Sequence, residues 1–268
     1  MSGWTIVTGA TGAMGAAAVE ALAAKGRAVL MACRNLAKAE AVRNDILTRI
    51  PSAVLEIREL DLSSLTSVRR FAESIEPGSA TALFNNAGAI SRDYRFTGDG
   101  LEHTFAVNYF GPWLLTRSIA EKMAPGGVVV NMISLTCRFV RISTDSLRPV
   151  RKDFSQLGTY ARSKRAVISF SQELSRRRPD LRINLADPGI VASSMIDLGH
   201  WFDPLADAVF KPFCKSPRAG VLPALNALSC EAGDRYFVGR RNHPIPRRYL
   251  SPSLDLALWE ATERIVAG

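Results

Sequence analysis

Hydrophobic and polar positions along this chain form two alternating kinds of segment. Short runs rich in apolar, β-branched residues predict strands at Thr5–Val7, Ala28–Met31, Leu55–Leu60, Ala82–Asn85, Val128–Ile133 and Arg182–Ala186. Longer stretches with apolar residues at every third or fourth position predict helices at Gly12–Lys25, Leu36–Ile50, Ser64–Ser74, Gly100–Met123 and Thr159–Arg177. Strands that alternate with helices indicate βαβ units, so we predict an α/β fold with a doubly wound parallel sheet flanked by helices.

The last seventy or so residues are less regular than the rest. Prolines recur there, and an amphipathic segment, "SSMIDLGHWFDPLADAVFKPF", spans residues 193–213. We predict a single domain over residues 1–268, in which residues 193–268 contribute a substrate lid and a C-terminal tail. The alternative is a pair of surface helices that completes the core.

Composition is that of a globular protein, with 47% apolar and 22% charged residues in 268. No run of eighteen apolar residues occurs, and the first strand begins by Trp4, so we expect no transmembrane segment, no leader and a cytoplasmic location. The cysteines lie far apart without metal-binding spacing, so we predict no metal site: Cys33, Cys137, Cys214 and Cys230.

The net charge of +9 raises the question of an anionic partner. Arginines cluster at 176–178, 240–241 and 247–248, but these clusters are short, scattered and not interleaved with aromatic residues. We therefore predict no nucleic-acid partner. The basic surface instead fits an anionic cofactor or substrate.

A glycine-spaced turn, "GATGAMG", follows the first predicted strand. A dinucleotide-binding turn needs a tight bend, close approach of the backbone to a pyrophosphate and close helix–strand packing, and each excludes a Cβ. The amides at the start of the next helix then attract the phosphates. We predict a Rossmann-type nucleotide site formed here by Gly9, Thr11, Gly12, Ala13, Met14 and Gly15. The alternative is an alanine-rich helix that happens to begin with glycines.

The second strand ends in "VLMACRN", where NAD-preferring sites carry an acidic residue. Here Arg34 and Asn35 stand at that point, and Lys38 lies one turn further on. A guanidinium binds a 2′-phosphate with two parallel donors, whereas a carboxylate would repel it. The sequence therefore predicts NADP(H) as cofactor, the alternative being an ordinary surface arginine.

The third and fourth strands also end in polar residues. Asp61 is placed to accept from the adenine amine, with Leu62 covering the ring, although Asp61 is equally suited to cap the next helix. The fourth strand ends in "FNNAG", at the sheet edge where ligands bind. We predict that this motif contributes Asn85, Ala87 and Gly88 to the cofactor site.

Tyr160 and Lys164 are spaced i,i+4, so both lie on one face of a predicted helix. A tyrosine hydroxyl is a weak acid, and a neighbouring ammonium group favours its phenolate and lowers its pKa. Such a pair can pass a proton to or from a substrate oxygen near neutral pH.

Together these motifs resemble the short-chain dehydrogenase/reductase superfamily from Trp4 to about Met195. Within it the chain is most similar to the branch of retinol dehydrogenases, protochlorophyllide reductases and WW-domain oxidoreductases. The stretches that carry this likeness include "MACRNLAKAE", "LDLSSLTSVRRFAESI", "LEHTFAVNYFGPWLLTRSI", "VVVNMISLT" and "SPRAGVLPALNALS". The turn departs from the pattern at Ala13, where simple members carry glycine.

The resemblance implies a catalytic set. Tyr160 would be the acid/base, Lys164 would bind the nicotinamide ribose and lower the Tyr160 pKa, and Ser134 would hydrogen bond the carbonyl oxygen. Asn108 would hold a water that links Lys164 to solvent. The family's PG turn would lie beside the nicotinamide amide and contributes Pro188, Gly189 and Val191.

Each catalytic position also has a structural alternative. Ser134 is suited to cap a strand end, with Thr136 as a second hydroxyl nearby. Asn108 is suited to bridge a helix kink, and Tyr160 to be a core aromatic residue.

Residues 135–158 lie between Ser134 and Tyr160 and mix apolar with basic side chains. With the aromatic segment Trp201–Phe213 they favour a bulky, largely apolar ketone, aldehyde or alcohol as substrate. The leading hypothesis is an NADP(H)-dependent carbonyl/alcohol oxidoreductase. A C=C double-bond reductase and a non-catalytic nucleotide-binding regulator are the alternatives. The family often pairs through helices, as a homodimer or homotetramer.

Overall fold

The computed structural model describes residues 3–191 and 215–267. Within these ranges eight strands form one sheet in the order β3-β2-β1-β4-β5-β6-β7-β8. Their bounds are β1 (Trp4–Thr8), β2 (Val29–Cys33), β3 (Leu55–Glu59), β4 (Ala80–Asn85), β5 (Val128–Met132), β6 (Arg182–Asp187), β7 (Arg235–Val238) and β8 (Arg241–Pro244). All neighbours pair in parallel except β7 and β8, which form an antiparallel hairpin.

Helices cover both faces of the sheet. They are α1 (Ala13–Ala23), α2 (Leu36–Arg49), α3 (Leu65–Glu73), α4 (His103–Phe105), α5 (Gly111–Lys122), α6 (Gln156–Arg177), α7 (Pro217–Leu228) and α8 (Pro252–Ala267). One core cluster joins the sheet to α3, α5, α6 and α8, and a second joins it to α1, α2 and α7. The predicted doubly wound α/β fold is confirmed.

Burial on both faces explains why the central strands read as continuous apolar runs rather than alternating ones. Every residue of β2 and of β5 is buried, including Asn131 in the middle of the sheet. The strand order reverses between β1 and β4, whose carboxyl ends therefore flank a crevice. The glycine turn and the FNNAG motif lie at these two strand ends.

Elements predicted from the pattern are observed with end shifts of a few residues, with one exception. The predicted helix Gly100–Met123 is not continuous: α4 passes into α5 through a π-helical turn, Ala106–Phe110. A π turn frees backbone groups from the regular ladder and is frequent at functional sites. Asn108 lies within it.

The C-terminal region is more regular than the sequence indicated. Residues 215–267 supply α7, β7, β8 and α8, and β7 extends the parallel sheet beside β6. The predicted lid segment at 193–213 lies outside the described residues, so its role stays a prediction. Among the described residues, no helix is long and apolar enough to cross a membrane.

Candidate active site

The glycine turn has the geometry that a nucleotide-binding loop requires. Gly9 has φ +63°, and a Cβ there would lie 2.9 Å from the Ala87 Cα. A Cβ on Gly15 would come within 2.1 Å of the Gly9 carbonyl oxygen, so α1 could not pack so close to the strand end. Gly12 caps α1 and is exposed, leaving the helix N-terminus open to a ligand. Ala13 begins α1, so the departure noted in the sequence leaves the turn intact.

A cavity of about 690 Å³ opens beside this turn. Among the predicted cofactor residues, those that line it are Gly9, Thr11, Gly12, Ala13, Met14, Gly15, Arg34, Asn35, Asp61, Leu62, Ala87 and Gly88. The cavity thus follows the crevice between β1 and β4 and extends past the ends of β2 and β3. A glycine cradle, a free helix N-terminus and a basic rim fit a phosphorylated dinucleotide.

The end of β2 forms the basic rim of the cavity. Arg34 and Lys38 are exposed and line the cavity. Asn35 has a different role, because its Oδ1 accepts from the Lys38 backbone N–H at 2.8 Å and caps α2. Asp61 is the sole acidic residue among the described residues that line this cavity.

Asp61 lines the cavity, as the adenine-binding prediction requires, but it is not the cap of α3. Its Oδ1 accepts from the backbone N–H and the hydroxyl of Ser63, at 2.9 and 2.6 Å. The cap of α3 itself is Ser64, whose side chain accepts from the Ser67 backbone. Asp61 therefore stiffens the loop before α3 and still lies on the cavity wall, next to buried Leu62.

Asn85 is a correction to the predicted site. Its Nδ2 donates to Thr116 Oγ1 and to Asn131 Oδ1, both at 2.7 Å, so the side chain is used inside the core rather than at the cavity. The next residue, Asn86, does line the cavity and donates to the Thr8 carbonyl at 2.9 Å. The alternation of side chains along a strand explains the difference, because neighbours point to opposite faces.

Other cavity-lining residues had no signal in the sequence. Arg95 and His103 follow β4 and hydrogen bond each other at 3.2 Å, and Val107 lies one turn beyond His103. Burial and the nearby charges of Arg95 and Arg34 lower the pKa of His103. No local motif marks these positions, since a long loop brings them to the cavity.

Ser134 and Tyr160 lie close to each other but are not among the residues that line this cavity. The Ser134 hydroxyl forms a hydrogen bond with the Tyr160 side chain. Ser134 also accepts from the backbone N–H and the hydroxyl of Thr136, at 3.3 and 3.0 Å. It is therefore a cap of the short 3₁₀ turn Leu135–Phe139 as well as a partner of Tyr160.

Lys164 is buried beneath the FNNAG loop. Its Nζ donates to the Met132 carbonyl at 3.0 Å, and a Cβ on Gly88 would lie 3.5 Å from the same atom. A Cβ at position 88 would contact the ammonium group at an ordinary distance and would crowd Asn108 Oδ1, at 3.3 Å. Burial lowers the pKa of Lys164 to about 8.

The lowered pKa expected for Tyr160 is a second correction. The side chain is half-buried, and desolvation raises its pKa to about 12, only partly offset by the hydrogen bond to Ser134. The Lys164 ammonium is directed to the Met132 carbonyl, and burial disfavours its charged form. The i,i+4 spacing alone did not reveal this direction.

Asn108 joins two parts of the site. Its Oδ1 accepts from the Ala89 backbone N–H and its Nδ2 donates to the Ala89 carbonyl, both at 2.8 Å. Nδ2 also donates to Ser163 Oγ at 3.1 Å. The side chain thus fixes the loop after Gly88 against α6.

The PG turn lies after β6, outside the lining of the main cavity. Pro188 is buried, and its carbonyl accepts from Lys215 Nζ at 3.1 Å. Gly189 has φ +72°, and Val191 forms an isolated bridge with Lys215. A Cβ on Gly220 would meet both Val191 and Met14, so this turn and the glycine turn share a neighbour on α7.

Comparison with known proteins covers nearly the whole chain. The sequence model of the family described as "short chain dehydrogenase" matches residues 3–198. The chain is 33% identical to the WW domain-containing oxidoreductase of Danio rerio, over 97% of this chain and 68% of that protein. It is 31% identical to retinol dehydrogenase 13 of Homo sapiens, over 97% of this chain and 83% of that protein. The crystal structure of an uncharacterized protein from Mycobacterium paratuberculosis, 29% identical, superposes with a TM-score of 0.77 over 98% of this chain and 93% of that one.

Proposed function

The chain belongs to the short-chain dehydrogenase family, in the branch that holds the retinol dehydrogenases and WW domain-containing oxidoreductases, and on that premise we propose its reaction. We propose an NADP(H)-dependent oxidoreductase that interconverts a carbonyl group and an alcohol, with Tyr160 as acid/base. The observation that carries the proposal is that Gly88 lines the glycine-cradled cavity and lies beside Lys164, one turn along α6 from Tyr160, whose hydroxyl meets Ser134.

The choice of NADP(H) rests on charge at the end of β2. Arg34 and Lys38 are exposed at the cavity rim, where a ribose phosphate would lie. A guanidinium forms bidentate, charge-assisted hydrogen bonds with phosphate, and an ammonium adds a second positive charge. The glycine turn and the N-terminus of α1 would hold the pyrophosphate.

The chemistry divides between cofactor and protein. The cofactor supplies or accepts the hydride at the substrate carbon. Ser134 and Tyr160 would hold the substrate oxygen through their hydroxyl groups, and Tyr160 would donate its proton to that oxygen in reduction or accept it in oxidation. Lys164, buried beside Gly88, would bind the ribose.

A bulky, largely apolar substrate is supported by the surface around Ser134 and the PG turn. Phe139 is 79% exposed at the end of the 3₁₀ turn that Ser134 caps, and Ile190 is 62% exposed in the PG turn. Val150 and Leu157 are also exposed in and near the loop before Tyr160. Two relatives are named for retinol, an alcohol of the bulky, apolar kind.

Turnover by the purified protein tests the proposal directly. A panel of bulky aldehydes, ketones and α,β-unsaturated carbonyls is incubated with NADPH, whose absorbance falls on oxidation, and the products are identified. An alcohol product supports the proposal, a saturated carbonyl product replaces it with C=C reduction, and NADPH binding without any turnover indicates a regulator.

The variant Tyr160→Phe removes only the hydroxyl. We expect kcat to fall at least about a hundredfold, as is usual when a general acid is lost, while NADPH affinity stays within a few-fold of wild type. Tyr94→Phe is the matched control, because it also removes one tyrosine hydroxyl, which donates to the Pro149 carbonyl. A Tyr160→Phe protein with nearly full activity would rule out the assigned acid/base.

A further inference from the structure

Asp187 is a buried carboxylate that the proposed reaction does not use. It ends β6, is 1% exposed and lies on the same strand face as Ile183 and Leu185. Those two residues belong to the core cluster that includes α6, the helix that carries Tyr160. Burying a charge is costly unless it is paired, so the partners of Asp187 indicate its role.

Each oxygen of Asp187 has a defined partner. Oδ1 accepts from the backbone N–H of Gly189 at 2.9 Å, within the PG turn. Oδ2 accepts from the Tyr236 hydroxyl at 2.7 Å, from the neighbouring strand β7. The Arg138 guanidinium also hydrogen bonds the Tyr236 side chain. A chain of hydrogen bonds therefore runs from an exposed arginine, through a buried hydroxyl, to the carboxylate.

This series of hydrogen bonds links three segments around the reaction centre. Arg138 belongs to the 3₁₀ turn that Ser134 caps, Tyr236 belongs to β7, and Gly189 belongs to the turn assigned to the nicotinamide end. Arg138 and Tyr236 are 98 residues apart in the sequence, so only the fold brings them together. Gly189 has φ +72°, and the bond from its N–H to Asp187 holds the turn in that conformation.

The charge of Asp187 also affects the pKa of Tyr160. Its carboxylate adds to the increase in the pKa of Tyr160, after desolvation and the Cys137 thiol, while Ser134 acts in the opposite direction. Burial raises the pKa of Cys137 to about 11, so this thiol is neutral near pH 7. Among the described residues, Asp187 is thus the acidic residue that raises the pKa of Tyr160 from outside helix α6. Lys164 is the basic residue one turn further along α6.

We propose that Asp187 is a positioning residue for the reaction: it fixes the Pro188–Gly189 turn through the Gly189 N–H and acts with its charge on Tyr160, and Tyr236 and Arg138 hold it there. This inference rests on the proposed function for its catalytic meaning. Its effect on Tyr160 is a property of the folded chain and is measured without turnover. In reduction, a charge that keeps Tyr160 protonated maintains the acid form.

Two variants separate charge from structure. Asp187→Asn removes the charge but keeps a side-chain oxygen for Gly189, whereas Tyr236→Phe removes the hydroxyl and keeps the carboxylate. The full-length protein is labelled with ¹³Cζ-tyrosine, and the Tyr160 signal among the five tyrosines is assigned as the one missing in Tyr160→Phe. The tyrosinate fraction of Tyr160 is then followed from pH 9 to 12.5, a range that includes its pKa of about 12.

In Asp187→Asn we expect the Tyr160 titration to move down by about one pH unit, because a nearby negative charge is lost. In Tyr236→Phe it stays or moves up, since the carboxylate loses a compensating donor. The pH profile of kcat moves in the same directions. Asp45→Asn, an exposed acidic residue on α2, is the matched control and leaves both unchanged.

Equal shifts in the two variants, or none in Asp187→Asn with circular dichroism unchanged, overturn the inference. If Asp187→Asn shifts the Tyr160 titration but wild-type protein reduces no carbonyl, the proposed function fails and the charge effect stands. If turnover is found but its pH profile is identical in Asp187→Asn, the function stands and the positioning role fails.

Discussion

Arg34, Asn35 and Lys38 stand close together after β2, and the structure gives them different roles. Asn35 is committed to the backbone as the α2 cap, whereas the two basic side chains extend into the rim of the cavity. Residue type predicted the charge of this rim correctly. It did not separate the capping residue from the residues facing the ligand, because asparagine suits both positions.

If the positive charge of Arg34 selects NADP(H), reversing that charge changes the cofactor preference. In Arg34→Asp we expect NADPH affinity to fall about tenfold to a hundredfold, the usual loss for a hydrogen bond to a charged group, and NADH affinity to rise or hold. Fluorescence titration with both cofactors measures the ratio. Arg240→Asp, in the exposed turn between β7 and β8, is the control for net charge. A ratio equal to that of wild type would remove the basis for assigning NADP(H).

Helix α6 carries Tyr160 and Lys164, the side chains proposed to react, and helix α8 packs against it. Trp259 on α8 is 3% exposed, and its ring lies 5.0 Å from Trp113 and 6.1 Å from Phe170 of α6, measured between ring centres. Arg177 covers the same ring at 4.7 Å. Asp255, fully buried on α8, pairs with Arg176 at 2.9 Å. The last helix is therefore part of the scaffold that places Tyr160.

Truncation of this contact tests the role of α8. We expect Trp259→Ala to lower the free energy of unfolding by about 3–5 kcal/mol, as for other large aromatic residues removed from a core. Leu256→Ala, on the same helix but 41% exposed, is the control and costs under about 1 kcal/mol. Urea unfolding followed by circular dichroism gives both values. Similar losses in the two variants would mean that α8 does not dock through Trp259.

At the scale of the whole molecule, the buried Lys164 of the candidate site lowers the free energy of unfolding. Lys164 is buried with a pKa lowered to about 8, so its charged form is less favourable in the folded state than in the unfolded one. Between pH 8 and the unfolded value of about 10.5 the unfolded chain binds more protons, and this contribution to stability therefore rises with pH. Below pH 8 the full cost is present.

The variant Lys164→Met removes that cost. At pH 7 we expect it to unfold with a free energy higher than wild type by up to about 3 kcal/mol, less the lost bond to Met132, and the advantage shrinks as pH rises from 8 towards 10.5. Turnover is abolished in the same protein. Urea unfolding of both proteins at pH 7 and pH 10 tests this. A difference that is constant with pH would show that the lysine is not the cause.

The sequence alone was sufficient for most of the fold. Each strand and helix up to Asp187 has a strong local pattern, because a parallel sheet buries both faces and its helices bury one. The glycine turn was also readable, since Gly9 and Gly15 satisfy steric demands that no other residue meets. The short strands β7 and β8 were missed, because four residues carry too little periodicity to be distinguished from a loop.

By itself the sequence determined the residue types at the site, from the glycine cradle to Arg34, Ser134, Tyr160 and Lys164. Tertiary structure alone decided their environment. It directs the Asn85 side chain into the core and places Asn86 at the cavity. It also raises the pKa of Tyr160, whereas the i,i+4 spacing suggested a lowered one. It also brought Asp187 and Tyr236 to within 2.7 Å across 49 positions of chain. The reason is physical: local spacing fixes which side chains share an element, whereas burial and long-range contacts set their charge states and partners.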